Sequence, residues 1–345
     1  MKLLPDFLDK NKPPLIVAEL SANHGGDIQK AFELIDCAVE NGADAVKIQT
    51  YKAETITVDS RDERFLLKDG IWKGKYLYDL YKDAMTPWEW HAPLAERARG
   101  RGIAFFSSPF DETAVHFLEE EISPVIYKVA SFEMNHFPML EVIGSTGKPV
   151  LASVGVSEER EIAKSLDVLR TSGCPEVILL HCVSDYPASA ENFNLSRMSF
   201  LRSAFEVPVG LSDHSPGSVI PIAATVLGAR VIEKHLTLDR DPRASDSSFS
   251  MLPEEFNEMC RSVRIAFDSL HLEKSKNANP PSAKFLKRSI LVSQSIRKGE
   301  IFTECNLRVA RPGDGLCPSK WNEVLGKKST RSLDVGHPLS SADYH

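Results

Sequence analysis

From Pro14 to about Leu270 the chain repeats one pattern eight times: a short, nearly continuous apolar run followed by a longer amphipathic one. That repetition constrains the fold more than any other feature. Apolar runs of strand length belong to strands covered on both faces, and alternation with helical patterns makes those strands parallel. The eight runs are "PLIVAEL" (14–20), "AVKIQTY" (45–51), "IAFFSSP" (103–109), "VIYKVAS" (125–131), "PVLASVG" (149–155), "EVILLHCV" (176–183), "PVGLSD" (208–213) and "RVIEKHLTL" (230–238). Between the first two, Ala31, Leu34, Ile35, Ala38 and Val39 form one helical stripe and Gly42 provides a stop. Eight such units predict a (β/α)8 TIM barrel. A doubly wound open sheet shares the local pattern, but "ELSANHGGD" after the first run lacks its G-x-G-x-x-G turn.

The longest insertion, about 52–85, follows the second run, and its aromatic content suits a lid or partner surface. After Leu270 the texture changes to a polar, proline-containing stretch and then to short strands and turns. The expected division is a barrel over 1–272, a linker over 273–287 and a small domain over 288–345. A net charge of -7 gives no general attraction to nucleic acid or to anionic membranes. No run approaches the length of a membrane span, so a cytoplasmic location is expected. Six scattered cysteines without a C-x-x-C pair suit reduced thiols.

Ligands of parallel barrels bind at the carboxyl ends of the strands, and polar residues gather there. Glu19, Asn23 and His24 close the first run; Lys47 and Gln49 the second; Ser107 and Ser108 the third; Lys128, Ser131 and Glu133 the fourth. Ser153 closes the fifth, Ser184 and Tyr186 the sixth, Ser212, Asp213 and His214 the seventh, and Glu233, Lys234 and His235 the eighth. His214 and His235 lie one repeat apart, on neighbouring strand tips within reach of one metal ion such as Mn, Zn, Fe or Co. Two hydrogen-bonded structural histidines would give the same spacing. Lys47 and Lys128 interrupt apolar strands, which requires an anion to balance each. Ion pairs to Glu19 or Glu133, a phosphate or carboxylate site completed by serines, and a Schiff-base lysine all satisfy that requirement.

The segments "AELSANH", "VKIQTY", "TPWEWH", "FFSSPFDETAV", "YKVASFE", "GLSDHS" and "EKHLTLD" together resemble the sialic acid synthase family, nearest its pseudaminic branch, over nearly the whole chain. The resemblance implies a barrel followed by a small antifreeze-like (SAF) domain. It further implies condensation of phosphoenolpyruvate with an N-acetylated sugar aldehyde, here a 2,4-diacetamido-2,4,6-trideoxy-altrose, with release of phosphate. By that resemblance His214 and His235 match ligands of a divalent metal (Mn2+, Mg2+ or Co2+). Lys47, Ser108, Lys128, Ser131, Ser153, Ser184 and Ser212 match the phosphoenolpyruvate pocket. Glu19, Gln49, Glu133, Tyr186 and Asp246 match sugar-side and proton-transfer positions, Glu19 and Asp246 being read with the two histidines as catalytic. Arg311 matches an arginine that the small domain places over a partner's active site, which implies a domain-swapped homodimer. Three departures fall near the pocket: Val154 replaces a hydroxyl residue, Asp185 follows Ser184, and no Gly-Pro precedes Asp246. The other readings are a sialic or legionaminic acid synthase using another sugar, a Schiff-base aldolase and a non-catalytic carbohydrate-binding protein.

Overall fold

The structure is a computed structural model that describes residue 9 and residues 11–270 and 281–345. It divides into two compact units, residues 1–271 and 272–345.

The first unit holds eight parallel strands: β1 (Leu15–Glu19), β2 (Ala45–Thr50), β3 (Ala104–Pro109), β4 (Tyr127–Val129), β5 (Val150–Ser153), β6 (Val177–Cys182), β7 (Val209–Asp213) and β8 (Val231–His235). Each lies inside one of the eight apolar runs. Hydrogen bonding gives the order β3-β2-β1-β8-β7-β6-β5-β4, and β3 packs beside β4, so the sheet curls into a nearly closed barrel. Helices alternate with the strands. The first, Ile28–Glu40, starts where the Asp27 side chain accepts the Gln29 N–H, and it buries Ala31, Leu34, Ile35 and Ala38. Helix His91–Arg101 ends on Gly102 in the left-handed region (φ 74°), which a residue with a Cβ enters only at a cost.

Strand side chains alternate between barrel interior and helix layer, so one strand feeds two cores. Leu15, Val17, Phe106, Leu151, Leu180 and Val231 help form an apolar interior plug. Ile16, Val46, Ala152, Leu179 and Ile232 join the helices in the larger outer core. The plug leaves no room at Gly210, where a Cβ would lie 2.6 Å from both the Leu180 Cδ2 and the Val231 carbonyl. Counting two residues onward along the inward rows, Val17 gives way to Glu19, Phe106 to Ser108, Leu151 to Ser153, and Val231 to Glu233 and then His235. A dry floor therefore supports a polar layer at the carboxyl ends.

The insertion carries a hairpin over 66–76, with Leu67 N–H donating to Lys75 O at 3.0 Å and Gly74 N–H to Leu67 O at 2.8 Å, followed by helix Leu77–Ala84. In the second unit, β9 (Ser289–Val292) pairs antiparallel with β10 (Leu307–Ala310) over a core that includes Ile290, Phe302, Leu307 and Leu339. Of the expected linker, 273–280 lies outside the described residues, and Pro281–Phe285 forms a short helix. Among the described residues no helix is long and apolar enough to cross a membrane.

Candidate active site

The polar layer encloses a cavity of about 450 Å³ at the barrel mouth, a size suited to a small polar ligand. Every barrel residue singled out from the sequence as a site residue lines it: Glu19, Lys47, Gln49, Ser108, Lys128, Ser131, Glu133, Ser153, Ser184, Tyr186, Ser212, His214, His235 and Asp246. Arg311 belongs to the second unit, where it is exposed just after β10.

At the bottom of the cavity two buried ammonium groups share two buried carboxylates. Lys47 Nζ contacts Glu19 Oε2, lies 3.6 Å from Glu233 Oε1 and donates to Ser108 Oγ at 3.1 Å. Lys128 Nζ lies 3.9 Å from the same Glu233 oxygen and donates to the Val129 carbonyl at 2.9 Å. Ser212 Oγ donates to that oxygen too, at 3.2 Å. Strand register explains the grouping, because Glu19 sits opposite both Lys47 and His235, and Ser212 opposite Glu233.

Burial works against the Lys47 ammonium, but Glu19 and Glu233 outweigh it and keep the lysine protonated. Burial lowers Lys128, which has the weaker partner. Glu233 is stripped of water yet held below the ordinary range by Lys128 and Lys47. Burial raises Glu133 to about 7, only partly offset by Lys128, and raises Asp246 against the hydrogen bond from Ser21. Ser153 Oγ, Glu133 Oε2 and Glu233 Oε2 are buried with no hydrogen-bond partner among the described residues. Unpartnered buried polar atoms around a cavity are the features of a site shaped for a polar ligand.

His214 and His235 line the same cavity, with ring centroids 5.4 Å apart. His214 Nδ1 lies 2.9 Å from the Val183 carbonyl, which places the proton there and leaves Nε2 as the lone-pair nitrogen. His235 Nδ1 has no hydrogen-bond partner among the described residues. Burial lowers both pKa values, so both rings are neutral. Two neutral imidazoles with free nitrogens fit a divalent ion with further positions left for water or substrate, since among the described residues no third His, Cys, Asp or Glu joins them in a ligand cluster.

Strand alternation separates the remaining strand-end polar residues from this set. Ser107 points away and donates to the Ile48 carbonyl at 3.0 Å; His24, in the turn past β1, packs edge-on against Trp90. Lys234 and Asp213, one residue off the inward row, form a buried pair at 2.5 Å behind the histidines, and Asp213 also accepts the Ser215 N–H at 2.9 Å. Asp213 thus shapes the loop that carries His214. Glu233 takes no role from its strand-end position alone, although its two-residue offset from His235 places it on the inward face. Ser21, which hydrogen-bonds Asp246 and accepts from Gln49 Nε2 at 3.0 Å, lies past the strand where no periodicity applies.

The family model described as the NeuB family matches residues 34–275, and a SAF domain model matches 287–344. The chain belongs to the NeuB family. It is 41% identical to the pseudaminic acid synthase of Campylobacter jejuni, with 97% of each chain covered, and 40% identical to that of Helicobacter pylori, with 96% of this chain and 98% of the relative covered. Among solved structures it resembles the N-acetylneuraminic acid synthetase of Leptospira borgpetersenii, with a TM-score of 0.68 and 32% identity over 79% of this chain and 90% of the other. Of the departures from the NeuB-family pattern, Val154 is buried in the outer core, so the missing hydroxyl lies on the helix side of the strand. Asp185 is exposed at the cavity rim, and Asp246 lines the cavity despite its altered loop.

Proposed function

We propose that the chain is a pseudaminic acid synthase, which condenses phosphoenolpyruvate with 2,4-diacetamido-2,4,6-trideoxy-L-altrose and water to give pseudaminic acid and phosphate. The observation that carries this reading is the meeting of two sets of groups in one cavity. Two buried lysines with serine hydroxyls around them line the same cavity as two neutral histidines, in a chain whose nearly full-length relatives include pseudaminic acid synthases.

In this reading Lys47 and Lys128, with Ser108, Ser131, Ser153, Ser184 and Ser212, hold the phosphate and carboxylate of phosphoenolpyruvate. Its charge opposes the effect of burial on the Lys128 ammonium by supplying a close anionic partner. His214 and His235 would hold the divalent metal (Mn2+, Mg2+ or Co2+), whose chemistry is Lewis-acid polarisation of the sugar aldehyde oxygen. The methylene carbon of the enolpyruvate bonds to the aldehyde carbon. Water adds at the carbon that bears the phosphate oxygen, and that carbon–oxygen bond then breaks to release phosphate. Glu19 and Asp246, both pushed up by burial, accept and return the protons of the water and of the aldehyde oxygen. Gln49, Glu133 and Tyr186 orient the sugar. Arg311 would reach the sugar from the small domain of a second copy, in a domain-swapped homodimer; Arg311→Ala should then raise the KM for the sugar while the oligomer, sized by sedimentation, stays intact.

The buried, lowered Lys128 also has the character of a Schiff-base lysine. Borohydride reduction in the presence of pyruvate separates the two readings. The synthase is expected to remain unlabelled and to lose activity on chelation. A covalent pyruvyl-lysine together with chelator-resistant turnover would establish the aldolase instead.

A further inference from the structure

The cavity changes character between its depth and its mouth. Charged and hydroxyl groups occupy the depth, whereas one wall of the mouth is formed by Leu67, Ile71 and Trp72 of the hairpin over 66–76, facing Tyr186 and Phe249. This wall is tied to the chemistry below it. Trp72 Nε1 donates to the Ser245 carbonyl at 3.2 Å, and its ring lies 5.5 Å from that of Tyr186, which in turn lies 4.4 Å from that of His214. Phe249 completes the contact at 4.9 Å from His235. The hairpin therefore stands at a fixed offset from the two histidines. Its only charged group lining the cavity, Asp69, is exposed at the rim.

We propose that this hairpin is the specificity element that reads the deoxygenated end of the sugar. The inference rests on the synthase reading above, which puts the aldehyde end at His214 and His235. The apolar plug blocks the barrel below them, so the other end of an open-chain sugar must extend toward the mouth. There the hairpin offers carbon surface and one indole whose single donor is already engaged by Ser245. A terminal methyl fills such a wall. A terminal hydroxymethyl would surrender hydrogen bonds to water and find no partner among Leu67, Ile71 and Trp72. Apolar pockets discriminate against an added hydroxyl by about 10- to 100-fold, which sets the scale of the preference.

The test compares kcat/KM for the 6-deoxy diacetamido sugar with that for its 6-hydroxy counterpart, in wild type, Leu67→Ser and Trp72→Ala. Wild type is expected to favour the deoxy sugar by about 10- to 100-fold, and each variant to lower that ratio about tenfold with the KM for phosphoenolpyruvate unchanged. Both sugars are measured on the same preparation, so any loss of folded protein cancels in the ratio. A wild type that turns over both sugars equally, or an unchanged ratio in both variants, overturns the hairpin's role and leaves the synthase standing. No turnover of either sugar by wild type overturns the synthase reading and this inference with it.

Discussion

Glu233→Gln should destabilise the barrel by about 3–5 kcal/mol, the range for removing one partner from a buried charge cluster. The reason is the position of Glu233 Oε1, which lies 3.6 Å from Lys47, 3.9 Å from Lys128 and 3.2 Å from Ser212. With that charge gone, Glu19 alone must balance two ammonium groups in a water-poor interior. The effect has a defined pH dependence. The folded protein holds the Glu233 carboxyl below the ordinary value of 4.5, so its stabilisation is fully present above that value and disappears as pH falls through the folded value. Denaturant midpoints for wild type and variant should therefore differ most near neutral pH and converge in acid. Equal midpoints at pH 7 would mean that Glu233 is not the counter-ion of the two lysines.

His214→Ala should separate function from stability in the opposite way. It removes a neutral ring whose Nδ1 is satisfied by the Val183 carbonyl and whose Nε2 is left free, so the fold should survive with the circular dichroism of the parent. Metal affinity by titration calorimetry should fall below detection, and turnover should fall by about 10³-fold, the scale of losing a group that stabilises developing charge. Retained turnover would remove His214 from the metal site. A buried structural histidine would instead show its effect in the unfolding midpoint.

Much of this site is legible in the sequence because a barrel imposes two simple rules. Strand-length apolar runs give the eight strands, and their final residues must ring one mouth. Those rules alone gather Lys47, Lys128, Ser153, His214 and Glu19 from positions far apart in the chain. The period-two rule, carried one step further, also sorts inward Glu233 from outward Lys234, and with it explains Asp213 as the partner of that lysine. The rest escapes because its placement is set by loops, where no period operates. Ser21 turns back to Asp246 across 225 residues of chain, and Trp72 reaches Ser245 across 173. Composition marked the insertion as aromatic, but only the folded hairpin shows which aromatic faces the cavity. Arg311 is the limiting case, since the reading that gives it a role needs a second copy of the chain.

In the proposed synthase one cavity joins phosphoenolpyruvate to a diacetamido sugar. Incubation of the purified chain with phosphoenolpyruvate, Mn2+ and each of a set of monoacetamido and diacetamido sugars, followed by phosphate release and product mass, tests it most directly. One phosphate should be released per sugar consumed, fastest with the 2,4-diacetamido-2,4,6-trideoxy-altrose, and the product mass should equal sugar plus phosphoenolpyruvate plus water less phosphate. No phosphate release with any of the sugars would contradict it.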